Sequence, residues 1–413
     1  MIGIRRAALC AVLSALVLPG SAAAWQESAY SQLNQRIAGA PDGTVVYAQG
    51  AGFSECGCTR LVIVRPDDSR KEITWRTPDA NIPFVAVNNK VITVAWDTGN
   101  QENARVFTRT FKLDGTAIGA NTRVTPPREG PKNYFAVVGL AAAGGRTVLL
   151  TSTFLVLTPQ PLHSSVRRGS RAFSRARPIE GARDADEVER RFSVLPDGSA
   201  LVVPFENRTI MRLPPDSTVW RKYKGRDANT NATLHAADDG SWALGGYTDS
   251  GSQLRTGRAG RRLTTFPPQY EGDAYFVERI AVALPGSRGA YVSSGAQDGQ
   301  DPSEFLRMQI ARPAAEGGTT QEVVYVDNVG ELYDAEASST RQIAALTQWA
   351  PDTALAEEVH LVLRNRDGRT SVTNLGPEES EPARQFHLLR AGGRIVVVRV
   401  EEPGTIEIFR LPG

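Results

Sequence analysis

Along this chain apolar and polar residues alternate with period two in short runs, and the runs are cut by Asp-Gly, Gly-Gly and Asn-Asn pairs. Period two is the spacing of side chains on the two faces of a β-strand, so the pattern predicts strands. The stretch Arg191–Phe205 carries it in full. Phe192–Leu195 enters Pro196-Asp197-Gly198, and a second apolar run, Ala200–Val203, leaves it. A tight hairpin needs φ > 0 in its turn, which Gly, Asn and Asp tolerate and β-branched residues do not. Helical periodicity is nearly absent, and only Ala182–Arg191 reads as a brief helix on a connection.

The unit recurs eight times. Its turns fall at Asp42-Gly43, Asn88-Asn89, Gly144-Gly145, Asp197-Gly198, Asp239-Gly240, Pro285-Gly286, a degenerate copy around Ala337–Thr340, and Gly392-Gly393. A second hairpin follows in several copies, at Pro66-Asp67-Asp68-Ser69, Asp114-Gly115, Pro215-Asp216-Ser217 and Asp367-Gly368. Two hairpins per repeat predict four consecutive antiparallel strands, at a period in the range of propeller blades.

On these residues the chain resembles the β-propeller repeat proteins with Pro-Asp-Gly or Asp-Asp-Gly at the first hairpin, without the signature of a named family. The resemblance implies an all-β toroid of radial sheets around a central channel, with ligands bound at the channel mouth. Eight blades are expected, or seven if the degenerate copy is an insertion. The N-terminal segment Ser28–Leu33 is expected to supply the outer strand of the last blade and close the ring, which would cover free sheet edges. Residues 25–413 then form a single propeller domain.

The first residues change the compartment. Arg5 and Arg6, an apolar run over Ala7–Leu18, a Pro19-Gly20 break and Ala22-Ala23-Ala24 have the form of a secretory signal. Residues 1–24 are read as a signal peptide cleaved before Trp25, giving a periplasmic or secreted bacterial protein. No other stretch has the roughly 20 apolar residues of a membrane-spanning helix. The leader takes two arginines with it, so Lys+Arg falls from 47 to 45, against 45 Asp+Glu. A neutral mature chain does not support a general affinity for nucleic acid.

Candidate chemistry lies where the repeats disagree. Cys56 and Cys58 are the cysteines of the mature chain, and in an oxidising compartment they are expected to bond to each other. A redox-active or copper-binding pair is the alternative, without His or Met nearby in sequence. Asp298, Asp301 and Glu304 stand on a Gly- and Pro-containing loop with oxygen donors for Ca²⁺; a solvated acidic loop is the plainer reading. Arg167, Arg168, Arg171, Arg175 and Arg177 form a basic cluster, extended by Arg221–Arg226 and Arg255–Arg262. Arginine forks suit carboxylate and phosphate, so an anion-binding rim is set against a merely solvated one. His235 and His387 fall on predicted inner strands, displaced by one residue relative to their turns, and are expected to face opposite ways. Trp75, Trp220 and Trp242 are assigned to packing.

No nucleophile-elbow, P-loop or zincin pattern occurs. The expected function is a binding or scaffold module for a protein or anionic polysaccharide, with no cofactor beyond a candidate Ca²⁺. The alternative is an enzyme with a channel-mouth site assembled from several blades, a glycan hydrolase or lyase.

Overall fold

In the computed structural model each predicted turn joins two strands, and the strands assemble into eight separate antiparallel sheets in strict chain order. The structure describes residues 36–412, except 51–56, 78–79, 99–103, 128–134, 153–160, 184–190, 205–208, 224–231, 249–250, 259–263, 267–274, 297–304, 314–318, 350–356, 379–385 and 402–404. Seven sheets have four strands, and the eighth has three among the described residues. The first strands of blades 1 to 4 are Ile37–Gly39, Phe84–Val87, Ala136–Ala143 and Phe192–Val194. Those of blades 5 to 8 are Thr233–Ala236, Tyr275–Leu284, Glu331–Ala337 and Phe386–Ala391. Each touches the first strand of the next blade, and the eighth touches the first. The molecule is an eight-bladed β-propeller, and the degenerate seventh copy is a full four-stranded blade. No α-helix occurs among the described residues; most of the helix expected over Ala182–Arg191, and the closing segment Ser28–Leu33, lie outside them.

The turn aspartates are structural. Oδ1 of Asp42, Asp197 and Asp239 accepts from the backbone N–H two residues on, at 2.9, 2.8 and 2.9 Å. Asp67, Asp114 and Asp367 repeat this in the second hairpins. A short acceptor that bonds its own turn favours Asp here. Gly43, Gly198 and Gly240 follow with φ of 91°, 80° and 81°. Blade 2 reaches the same end differently, because Asn88 Oδ1 accepts from both Lys90 and Val91 N–H.

The core is distributed around the ring. Eight apolar clusters lie one at each junction between neighbouring blades, from Trp75, Trp96 and Phe111 between blades 1 and 2 to Tyr47, Val62 and Val396 between blades 8 and 1. Blade sheets are therefore covered on both faces, and their inner strands read as near-continuous apolar runs. Blades 8 and 1 are also tied by polar contacts. Gly392 N–H donates to Ala40 O at 2.9 Å. Arg410 donates to Gly43 O and Arg65 O, both at 2.8 Å, and so clamps the two hairpins of blade 1 at once. Gly39 is required at this seam, since a Cβ there would stand 2.1 Å from Arg390 O.

Candidate functional site

Radial sheets turn the edge of each inner strand toward the axis, so its outward N–H groups lack ladder partners. Side chains of the preceding blade fill the gap. Thr233 Oγ1 accepts from Ala281 N–H at 2.6 Å, His235 Nδ1 from Ala283 N–H at 3.0 Å, and Asp334 Oδ2 from Leu388 N–H at 2.7 Å. Buried donors are satisfied in this way without water. All eight inner strands line a cavity of ≈ 360 Å³ on the axis, with Val85, Val87, Leu140, Ile280 and Leu389 among the apolar walls.

Near the turn face three blades meet in one ionic cluster. Glu336 of blade 7 reaches past blade 6 to His235 of blade 5, with Nε2 to Oε1 at 2.9 Å. Its Oε1 also accepts from Ala337 N–H at 2.7 Å. Arg390 of blade 8 lies 3.9 Å from the same oxygen and crosses to blade 5, where it pairs with Asp238 at 3.0 Å and donates to Ala236 O at 2.6 Å. Burial alone would raise the Glu336 carboxyl, but His235, Arg390 and the hydrogen bonds hold it below the usual carboxylate range. His235 Nδ1 lies 3.0 Å from Ala283 N, and its Nε2 faces Glu336. Both ring nitrogens are thus committed to the protein. The cluster braces the channel from blade to blade.

His235 bonds forward to blade 6, and His387 shares the parity of Leu389 and Ala391, which pack forward against blade 1; this corrects the expectation that the two histidines face opposite ways. The reason is turn length. Ala237 N–H closes on Ser241 O around three residues, whereas Ala391 pairs directly with Arg394 around two. Counted from the closing pair, His235 is two residues back and His387 four, so they share parity. His163 and His360 are buried in the third strands of blades 3 and 7, and burial pushes the His163 imidazole down.

The basic cluster divides. Arg167 is 3 % exposed, and this withdraws it from the anion-binding rim. Its guanidinium enters the junction with blade 2, donating to Thr93 and Thr110 hydroxyls, and lies 5.0 Å from the Phe173 ring. Burial without an acid lowers it to about 10. Alternation along the strand sends Arg168 the other way, to the surface, where Asp216 stands 3.3 Å off. Arg171, Arg175 and Arg177 are also exposed, as are Arg221 and Lys222 of blade 4. Four arginines of the cluster, Arg168, Arg171, Arg175 and Arg177, therefore stay at the surface of blade 3. Trp75, Trp220 and Trp242 are buried, and Trp220 Nε1 donates to Ser164 Oγ at 2.8 Å.

Asp298, Asp301 and Glu304 lie outside the described residues, as does Cys56; Cys58 opens the third strand of blade 1 and is half-buried. Among the described residues no group of three or more His, Cys, Asp or Glu side chains is disposed to hold a metal ion. Sequence reasoning did not single out Glu336 and Arg390. A signal was present, because each is a charge one or two residues before the first turn of its blade.

No family model matches the chain, and no curated protein matches it. Solved structures match it as a fold. Virginiamycin B lyase from Staphylococcus aureus is 13% identical over 80% of this chain and 95% of its own, with a TM-score of 0.46. The β-propeller domain of the Trilobed protease from Pyrococcus furiosus is 12% identical over 84% and 98%, at 0.42. A putative TolB from Agrobacterium tumefaciens is 14% identical over 83% and 95%, at 0.37. At such identities the likeness concerns the propeller alone.

Proposed function

We propose that the chain is exported to the bacterial periplasm or beyond and works as a binding or scaffold module for a protein or an anionic glycan. The observation that supports this over a channel enzyme is the saturation of the axial cluster. A general acid or base must present a proton or lone pair to substrate, and His235 has both nitrogens engaged while Glu336 is held by His235, Ala337 and Arg390. The accessible charge is instead on the outside, at Arg168, Arg171, Arg175 and Arg177. Planar guanidinium forks at the surface of one blade suit carboxylate or sulfate groups on an extended partner. In the exported protein Cys56 and Cys58 form a local disulfide.

Retention of the purified mature protein on an immobilised anionic polysaccharide, followed against salt, tests the rim. The wild type is expected to bind and elute with salt. The variant Arg168→Gln/Arg171→Gln/Arg175→Gln/Arg177→Gln should elute at clearly lower salt with a shallower salt dependence. Tagged protein captured from the periplasm should meanwhile bring down a stoichiometric partner if the ligand is a protein. Shortening of a glycan by the purified protein would overturn the reading, as would failure of both binding experiments.

A further inference from the structure

A second basic feature lies on the opposite side of the ring, where sequence analysis marked nothing. Between blades 6 and 7, on the turn face, a groove of ≈ 370 Å³ has Leu284, Ile310 and Ile343 as its apolar lining. Five arginines border it, Arg288, Arg312, Arg341, Arg364 and Arg366, against two acids, Glu322 and Asp367. Five minus two leaves a net charge of +3 in one groove of a chain that is nearly neutral overall. Both acids are already engaged, Glu322 by Arg364 and Asp367 by Arg369.

The remaining arginines are set against each other. Gly289 pairs with Ala311, which places Arg288 and Arg312 across from one another on adjacent strands of blade 6. Like charges in that relation repel. Burial lowers the Arg288 guanidinium, and the nearness of Arg341 and Arg312 lowers it further. Among the described residues Arg288, Arg341 and Arg366 make no ion pair.

Arg341 is the telling member. Its three-residue turn closes through Ser338 N–H to Gln342 O, as Ala40 closes on Thr44, Leu195 on Ser199 and Ala237 on Ser241. The third turn residue in those blades is Gly43, Gly198 or Gly240, each with positive φ. Blade 7 keeps the left-handed conformation, φ 73°, and places arginine there. Among the described residues only Asp68, Ser287 and Asn328 are other non-glycine residues with positive φ, and such a residue in place of the repeat's glycine invites a functional reading.

We propose that this groove binds a small oxyanion ester, a phosphorylated or sulfated molecule, with its charged group between Arg288, Arg312 and Arg341 and its uncharged part on the apolar lining. The site is independent of the blade 3 rim and stands or falls separately from it.

Calorimetric titration of the mature protein at low ionic strength, with inorganic phosphate, inorganic sulfate and a hexose 6-phosphate, tests the proposal. Saturable binding at one site per chain is expected for at least one of the three, and the preferred anion separates phosphate from sulfate sources. Arg341→Gly is the decisive variant. Glycine suits the left-handed φ, so it should melt no lower than the wild type and yet bind at least tenfold more weakly. Arg288→Gln should weaken binding to a similar degree, and Arg168→Gln should leave it unchanged. No saturable heat with any of the three ligands overturns the proposal, as does binding that Arg341→Gly and Arg288→Gln leave intact.

Discussion

Two buried regions of the ring handle charge in opposite ways. At the junction of blades 2 and 3, Arg167 is surrounded by hydroxyls and an aromatic ring, and Asp97 accepts from Asn81 Nδ2 and Val137 N–H. Neither charge meets an opposite one in these contacts. Burial accordingly lowers Arg167 and raises Asp97, each toward its neutral form. On the axis, Glu336 is largely enclosed but lies against His235 and Arg390, and it is held more firmly ionised. Desolvation acts in both regions, and the partner decides the direction. Hydroxyls and amides satisfy geometry, whereas an opposite charge reaching from another blade also offsets the lost hydration.

The comparison breaks most visibly at Glu336. Glu336→Ala removes the acceptor of His235 Nε2 and one of the two carboxylates near Arg390, leaving that guanidinium with Asp238 alone. Breaking a buried pair in this way costs on the order of 3 kcal/mol. A denaturant titration should show that loss in the unfolding midpoint at unchanged slope. A loss below about 1 kcal/mol, the range of exposed pairs, would mean that the axial cluster does not brace the blades.

Arg167→Met asks the reverse question. If the guanidinium is tolerated rather than required, an apolar chain of similar length should change stability by no more than about 1 kcal/mol in either direction. Thr93 and Thr110 are direct cross-strand partners, so their hydroxyls can bond each other once the arginine is gone. The same unfolding measurement decides it, and a loss as large as that of Glu336→Ala would erase the contrast between the regions.

These residues also mark where reading the sequence succeeds and where it stops. The blades were legible because each depends on local chemistry, a turn aspartate such as Asp197 bonding its own backbone and a glycine such as Gly198 at positive φ. Arg167 was misplaced because blade strands are covered on both faces, so a polar-looking run such as His163, Ser164, Ser165 and Arg167 is wholly buried. The two histidines were misphased because one extra turn residue shifts parity, and Asp-Asp-Gly and Gly-Gly do not announce their loop lengths. Glu336 with His235, and Arg341 with Arg288, are brought together only by the ring, across separations of 101 and 53 residues. No local pattern encodes that distance.

The finest distinction is in the sign of the pH dependence. Glu336 has its carboxyl lowered in the folded state. Its stabilisation is fully present above the unfolded value of about 4.3 and is lost as pH falls through the folded value. Asp97 has its carboxyl raised, so its contribution is greatest below the unfolded value of about 3.9 and is lost as pH rises through the folded one. Relative to Glu336→Gln, the wild type should therefore gain stability as pH increases through the acid range. Relative to Asp97→Asn it should lose stability over the corresponding rise. Unfolding midpoints for the three proteins across that range give two difference curves of opposite slope. Curves of the same slope would mean that partner charge does not separate the two sites, and that burial alone sets both.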